Sequence, residues 1–235
     1  MSDITNNYCI ELKDVVYQYR GDLEPMLEIP GWSVSHGSKL FLRGESGSGK
    51  STLIHILAGL LEPTLGKLKV NGFDLSSASV QKRDQFRANY IGLVYQQFNL
   101  IPYLSMLDNV MLASHFAKTK NSQTNELAES LLNKMSLPQE LHNRDSRHLS
   151  IGQQQRVAIC RAMINQPKLV LVDEPTSALD SNNRDRFMSL LFDLLDEYQA
   201  TLIFVSHDET LATRFTEVIE LNELNTANNY SVNQI

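Results

Sequence analysis

At 235 residues, 42% of them hydrophobic and 20% charged, the chain is long enough for one sizeable core and has the composition of a globular domain. Its formal charge of −6 argues against a nucleic-acid partner, because neutralising phosphates needs a basic surface. Two cysteines, Cys9 and Cys160, imply no disulfide framework and read as buried, inert thiols.

No apolar run behind basic residues opens the chain, so no secretory signal is read there. No apolar stretch approaches the roughly 18 residues that a spanning helix needs. A cytoplasmic chain that does not itself cross a membrane is expected.

In chain order, residues 9–19 mix β-branched and aromatic side chains with partial alternation and predict a strand. Tyr17 and Tyr19 share one of its faces. Tyr17 reads as packing; for Tyr19, at the strand's end, position admits both packing and stacking on a nucleotide base. Residues 31–37 predict a further strand and turn. The apolar run Leu40-Phe41-Leu42 then leads into Gly44-Glu45-Ser46-Gly47-Ser48-Gly49-Lys50-Ser51, which fits the pattern G-x-x-x-x-G-K-S/T at every fixed position, and Thr52 opens a helix reaching Ala58. Glycines let such a loop curl so that successive N–H groups face one anion, and the helix N-terminus adds partial positive charge. Lys50 is placed to reach the β- and γ-phosphates of a nucleotide, and the Ser51 hydroxyl to ligate Mg²⁺.

Residues 63–66 are expected to stop this helix, and residues 67–72 alternate as a short edge strand. Residues 81–88 predict a helix and residues 90–95 a strand ending on Gln96 and Gln97. A glutamine there is either a surface residue or one placed to reach a metal ion or a nucleophilic water. From Leu104 to about Leu141 the spacing of Leu104, Leu107, Val110 and Met111, then of Leu127, Leu131 and Met135, predicts an inserted helical block with these residues as core. Ser150 with Gln153 three residues later is a capping-box pattern, and a helix start carrying Ser150 and Gly152 also offers free N–H groups to an anion.

Residues 169–173 form a continuous apolar run ending in Asp173 and Glu174, as in a central parallel strand whose carboxyl end faces a ligand. Asp173 fits a carboxylate that positions Mg²⁺, and Glu174 a base polarising the attacking water. Residues 177–180 predict a turn into an amphipathic helix. Residues 201–205 predict another buried strand, ending at His207, either a structural residue or one that contacts a γ-phosphate. Residues 217–221 predict a last strand, and the Asn-rich tail from Asn222 is expected to be mobile and too short for a regulatory domain.

The P-loop, Gln96, Leu149-Ser150-Ile151-Gly152-Gln153, the Asp173-Glu174 strand, Ser177-Ala178-Leu179-Asp180 and His207 together resemble the ATP-binding-cassette ATPases, in that family's own order. The resemblance implies an α/β fold: a P-loop NTPase core with a mainly parallel sheet, an N-terminal antiparallel β subdomain and an inserted α-helical subdomain. It implies a single domain in which about 1–98 and 166–235 form the nucleotide-binding core and about 99–165 the helical part with the signature. By the same resemblance, residues 44–52, including Thr52, bind ATP and Mg²⁺. Tyr19 stacks on adenine, Gln96 couples the nucleotide site to a transporter, Glu174 is the base, His207 the switch and Asp180 the D-loop residue. Ser150, Gly152 and Gln153 then act on the nucleotide of a second copy, in a head-to-tail dimer with two ATP molecules between the subunits.

One position departs from the family pattern: Ile151 stands where glycine is usual, and a β-branched side chain is strained there if φ must be positive. Residues 95–102 resemble the macrolide-export, lipoprotein-release and cell-division subgroup, which pairs with a separate membrane protein. The function implied is an ATP-hydrolysing subunit that powers export, extraction or mechanotransmission through an integral permease-type partner, peripheral on the inner face of the membrane. The alternatives are an ATP-dependent switch that activates an envelope enzyme without transport, and a small-acceptor kinase with no use for Ser150.

Overall fold

The computed structural model describes residues 7–117, 123–175 and 181–227, the side chains of residues 181–183 excepted. Two compact units divide the chain, one from Met1–Asp84 with Thr201–Ile235 and the other Gln85–Ala200.

In the first unit, β1 (Tyr8–Tyr17) pairs antiparallel with β2 (Leu27–Ser35), matching Ile10 to Val34 and Leu12 to Trp32. Alternation puts Ile10, Leu12, Val15 and Tyr17 of β1 inside, the pattern of a sheet with one buried face. Next come β3 (Lys39–Arg43), α1 (Lys50–Leu57), β4 (Leu65–Val70) and the two-residue β5 (Phe73–Asp74). The antiparallel order is β2-β1-β4-β5, so β4 lies between two strands and is not the edge that its sequence suggested. Its register against β1 slips between Lys13 and Val16. Asp14 (φ 50) and Gly66 (φ 89) face each other there, and a Cβ on Gly66 would stand 2.1 Å from the Asp14 carbonyl oxygen. Only glycine fits that crossing. Helix α1 ends at Leu57 with Ala58 as its cap, close to the expected end, but Gly59, at φ 66, takes the chain out of it before the stop expected at residues 63–66.

The second unit begins within α2 (Val80–Tyr90), which takes in Tyr90 where a strand was expected, and continues through β6 (Ile91–Val94), α3 (Met106–Ala117), α4 (Thr124–Lys134) and α5 (Ile151–Met163). It closes with β7 (Leu169–Asp173) and α6 (Ser181–Tyr198). Strands β6 and β7 pair in parallel, Val94 against Val172. Met106, Val110, Ala128, Leu131 and Leu132 form the helical core. Asn109, fully buried, binds the loop before α3: its Oδ1 accepts from the Ile101 N–H (2.8 Å) and its Nδ2 donates to the Ser146 hydroxyl (2.8 Å).

The chain then returns to the first unit through β8 (Thr201–Val205), α7 (Glu209–Ala212), β9 (Glu217–Glu220) and α8 (Leu221–Leu224). Strand β3 runs parallel to both β8 and β9, with Phe41 opposite Phe204 and Val218. Leu40, Phe41 and Leu42 are buried on both faces, as continuous apolar runs in parallel sheets require. The segment from Asn222, expected to be mobile, is packed as far as residue 227. Buried Asn225 accepts from the Glu28 N–H (2.8 Å) and donates to the Met26 carbonyl (3.0 Å), standing in for a strand partner beside β2. Among the described residues no helix is long and apolar enough to cross a membrane.

Candidate nucleotide site

In the first unit the site is built on the carboxyl ends of β3 and β8, where parallel sheets receive ligands. Gly49 caps α1 in the left-handed conformation (φ 102), with its Cα so close to β2 that a Cβ would meet Leu27 Cδ2 at 2.8 Å. Having neither a side-chain cap nor an acidic residue in its first turn, α1 leaves its N-terminal N–H groups to an incoming anion. Lys50 is 8% exposed, and its Nζ donates to the carbonyls of Gly44 (2.8 Å) and Glu45 (2.7 Å), which curls the loop around the ammonium. Gly47 lies at φ 80, the Ser48 N–H donates to the Glu45 carbonyl (3.2 Å), and Ser51 is exposed beside the loop.

Tyr19 lies beyond the end of β1, half-exposed, stacked edge-on against Tyr17 (4.9 Å between rings). Its hydroxyl shares a 2.9 Å hydrogen bond with the Thr52 hydroxyl. The ring is thereby tethered to the first turn of α1. His207 follows β8 and is exposed; Asp208 after it caps α7 by accepting from the Thr210 N–H (3.0 Å).

In the second unit, Gln96 follows β6 and Asp173-Glu174 end β7, so all three leave one end of a parallel pair. Gln96 is exposed; Asp173 and Glu174 are half-buried, with Glu174 at φ 46. The Ser150 side chain caps α5, accepting from the Gln153 N–H (3.3 Å), while Gln153 Oε1 accepts from the Ser150 N–H (2.9 Å). Both halves of the capping box are present. Ile151 occupies the first helical position, half-exposed, and neither it nor Gly152 has positive φ. The side chain therefore costs no backbone strain. Asp180 lies outside the described residues, as does the turn expected at 177–180.

Two residues tie this unit's loops together, and neither was singled out from the sequence. Arg161, mostly buried on α5, donates to the carbonyls of Phe98 (2.5 Å) and Asn99 (2.7 Å), fixing the segment after Gln96; burial lowers its pKa. Gln155, fully buried, donates from Nε2 to the Pro175 carbonyl (2.9 Å). A signal was available for Gln155: it shares the helical stripe of Ala158, Ile159 and Ala162, all buried. A cavity of ≈ 610 Å³ opens beside these loops, lined by Gln96, Phe98, Pro102, Arg147, Ile151 and Gln154.

Residues 27–177 match the family model described as ABC transporter. The chain is 40% identical over 188 residues to the lipoprotein-releasing system ATP-binding protein LolD of Saccharophagus degradans, covering 80% of this chain and 82% of that protein. It is 39% identical over 218 residues to the macrolide export ATP-binding/permease protein MacB of Syntrophobacter fumaroxidans, covering 91% of this chain but 30% of that longer protein. In structure it is similar to the ATP-binding cassette MJ0796, solved as a dimer in a post-hydrolysis state with ADP and Pi: TM-score 0.83, 34% identity, 93% of this chain and 95% of that one. With a P-loop wrapped around a buried lysine, parallel strands delivering carboxylates at their ends and these likenesses along most of its length, the chain belongs to the ABC transporter family and is an ATP-hydrolysing subunit of that family.

Proposed function

We propose that ATP binds with its phosphates on residues 44–52 and its base on Tyr19, and that Glu174 orients the water that attacks the γ-phosphate. Lys50 then exchanges its two loop carbonyls for phosphate oxygens, and His207 contacts the γ-phosphate. Ser51, Gln96 and Asp173 all offer oxygen donors, the ligand type Mg²⁺ takes together with phosphate oxygens and water. When bound, the ion neutralises charge developing on the β- and γ-oxygens. The observation that carries this reading is the start of α1: an uncapped helix end behind a left-handed glycine, with the lysine already held inside the loop.

The dimeric state of the solved neighbour supports a sandwich in which Ser150, Gly152 and Gln153 of one subunit, together with its D-loop residue Asp180, close over the P-loop nucleotide of the other. Relatives named for lipoprotein release and macrolide export support an integral membrane permease-type partner, with this subunit peripheral on the cytoplasmic face. In this reading residues 99–165 act as the helical subdomain that carries the signature. No observation favours the switch reading, and nucleic acid has no role in it. The test is Glu174→Gln with ATP and Mg²⁺, followed by light scattering. A stable ATP-dependent dimer is expected; a monomer at saturating nucleotide overturns the sandwich.

A further inference from the structure

We infer that Gln155 is a positioning residue for Glu174, and that it links the signature end of α5 to the hydrolytic carboxylate within one subunit. The inference rests on the reading of Glu174 as the group that orients water. Glu174 stands at φ 46, a conformation that a side chain other than glycine keeps only where its surroundings hold it. The next residue, Pro175, has no N–H, so its carbonyl is its one backbone polar group. That carbonyl accepts from Gln155 Nε2 at 2.9 Å. Gln155 is fully buried, and its Oε1 has no hydrogen-bond partner among the described residues.

A buried amide satisfied at one end alone is a poorer core side chain than an apolar one. What this position gains from glutamine is the donor, and the donor is spent on the residue beside Glu174. Ser150, which caps the same helix, lies five residues earlier, about 7.5 Å along the axis at the usual rise. An anion pulling on the N-terminus of α5 therefore acts on the helix whose second turn holds Pro175. Binding at the signature end and the aim of the carboxylate share one rigid element.

Gln155→Met keeps the shape, removes the donor and also removes an acceptor that meets no partner among the described residues, so the fold is expected to hold. With full-length protein, kcat for ATP hydrolysis should fall by roughly ten- to a hundredfold, the scale on which a slightly misplaced reacting group costs rate. Affinity for a fluorescent ATP analogue and the unfolding temperature should stay within error of the parent. In a Glu174→Gln background the same substitution should change residual hydrolysis no further. An unchanged kcat in Gln155→Met overturns the inference, and so does a loss of kcat matched by an equal loss of folded protein, which is packing alone. If Glu174→Gln itself hydrolyses like the parent, the reading of Glu174 is what fails, and the two failures are told apart.

Discussion

Replacing Ser150 separates its two roles, because one side chain can keep the first while spoiling the second. As the N-cap of α5 the serine accepts a single, long bond from the Gln153 N–H (3.3 Å), and the reciprocal bond from the Ser150 N–H to Gln153 Oε1 does not involve the hydroxyl. Ser150→Ala should therefore cost about 0.5–1 kcal/mol, the low end of the range for a lost cap. Aspartate caps as well as serine and its charge suits a helix N-terminus, so Ser150→Asp should unfold at the parent's temperature or slightly above. Opposite a γ-phosphate, however, that carboxylate adds repulsion of about 4 kcal/mol for unit charges about 4 Å apart at an effective dielectric of about 20. A symmetric dimer carries two such contacts, about 8 kcal/mol in all, which is a weakening of the ATP-bound dimer by roughly a millionfold. Light scattering of Ser150→Asp in the Glu174→Gln background, with ATP and Mg²⁺, reads it directly. A stable Ser150→Asp protein that dimerises like its parent refutes the proposal that this helix end meets a phosphate across an interface.

Two further outcomes concern the scaffold. Gly66→Ala should destabilise by about 3 kcal/mol or more, since its φ of 89 and a Cβ 2.1 Å from the Asp14 oxygen combine, whereas Gly37→Ala, at φ 75 with nothing within 4 Å, should cost about 1 kcal/mol. Urea titration compares them, and equal costs would show that the β1–β4 crossing is looser than described. Burial raises the Cys9 thiol to about 11 from its ordinary 9.0, against a smaller opposite effect from the Thr201 hydrogen bond. Because the folded pKa is the higher, this contribution to stability is complete below pH 9.0 and is lost as pH rises from there through about 11. Cys9 and Cys160 should both resist iodoacetamide until the protein unfolds, and native-state labelling at pH 8 would contradict their burial.

The nucleotide loop was legible because its chemistry fixes residue types at fixed spacing, and the parallel strands because burial on both faces leaves no polar alternation to confuse them. Strand β4 shows the limit. Lys67 and Lys69 alternate with Leu68 and Val70, which is how any strand with one wet face reads, whether at an edge or between neighbours. From the sequence the stop of α1 falls at residues 63–66, and Gly59 acts before it because a left-handed turn there packs against Leu75. Asn225 looked like part of a solvated tail because an amide that replaces a strand partner through contacts 197 residues away leaves no local mark. Gln155 was hidden in another way. Three successive glutamines carry identical chemistry, yet Gln153 completes a cap, Gln154 donates to the Leu149 carbonyl and Gln155 reaches into the core.

Ile151 shows which part of the signature is chemistry and which is clearance. A glycine at a helix start is needed if φ is positive, if a Cβ would strike a neighbour, or if a ligand must approach the backbone. The first does not hold, because Ile151 is an ordinary helical residue in the first turn of α5. The second does not hold either, because its side chain is 51% exposed and borders the ≈ 610 Å³ cavity beside Gln96 and Arg147. Only the third remains, and it concerns a face that points away from this subunit. The groups that would meet the phosphate, the Ser150 hydroxyl and the N–H groups of the first turn, are set by the cap and by helix geometry, which isoleucine leaves intact. In the proposed sandwich the isoleucine would thus alter how closely a second surface can approach, while the helix end proposed to meet the phosphate stays as a glycine would leave it.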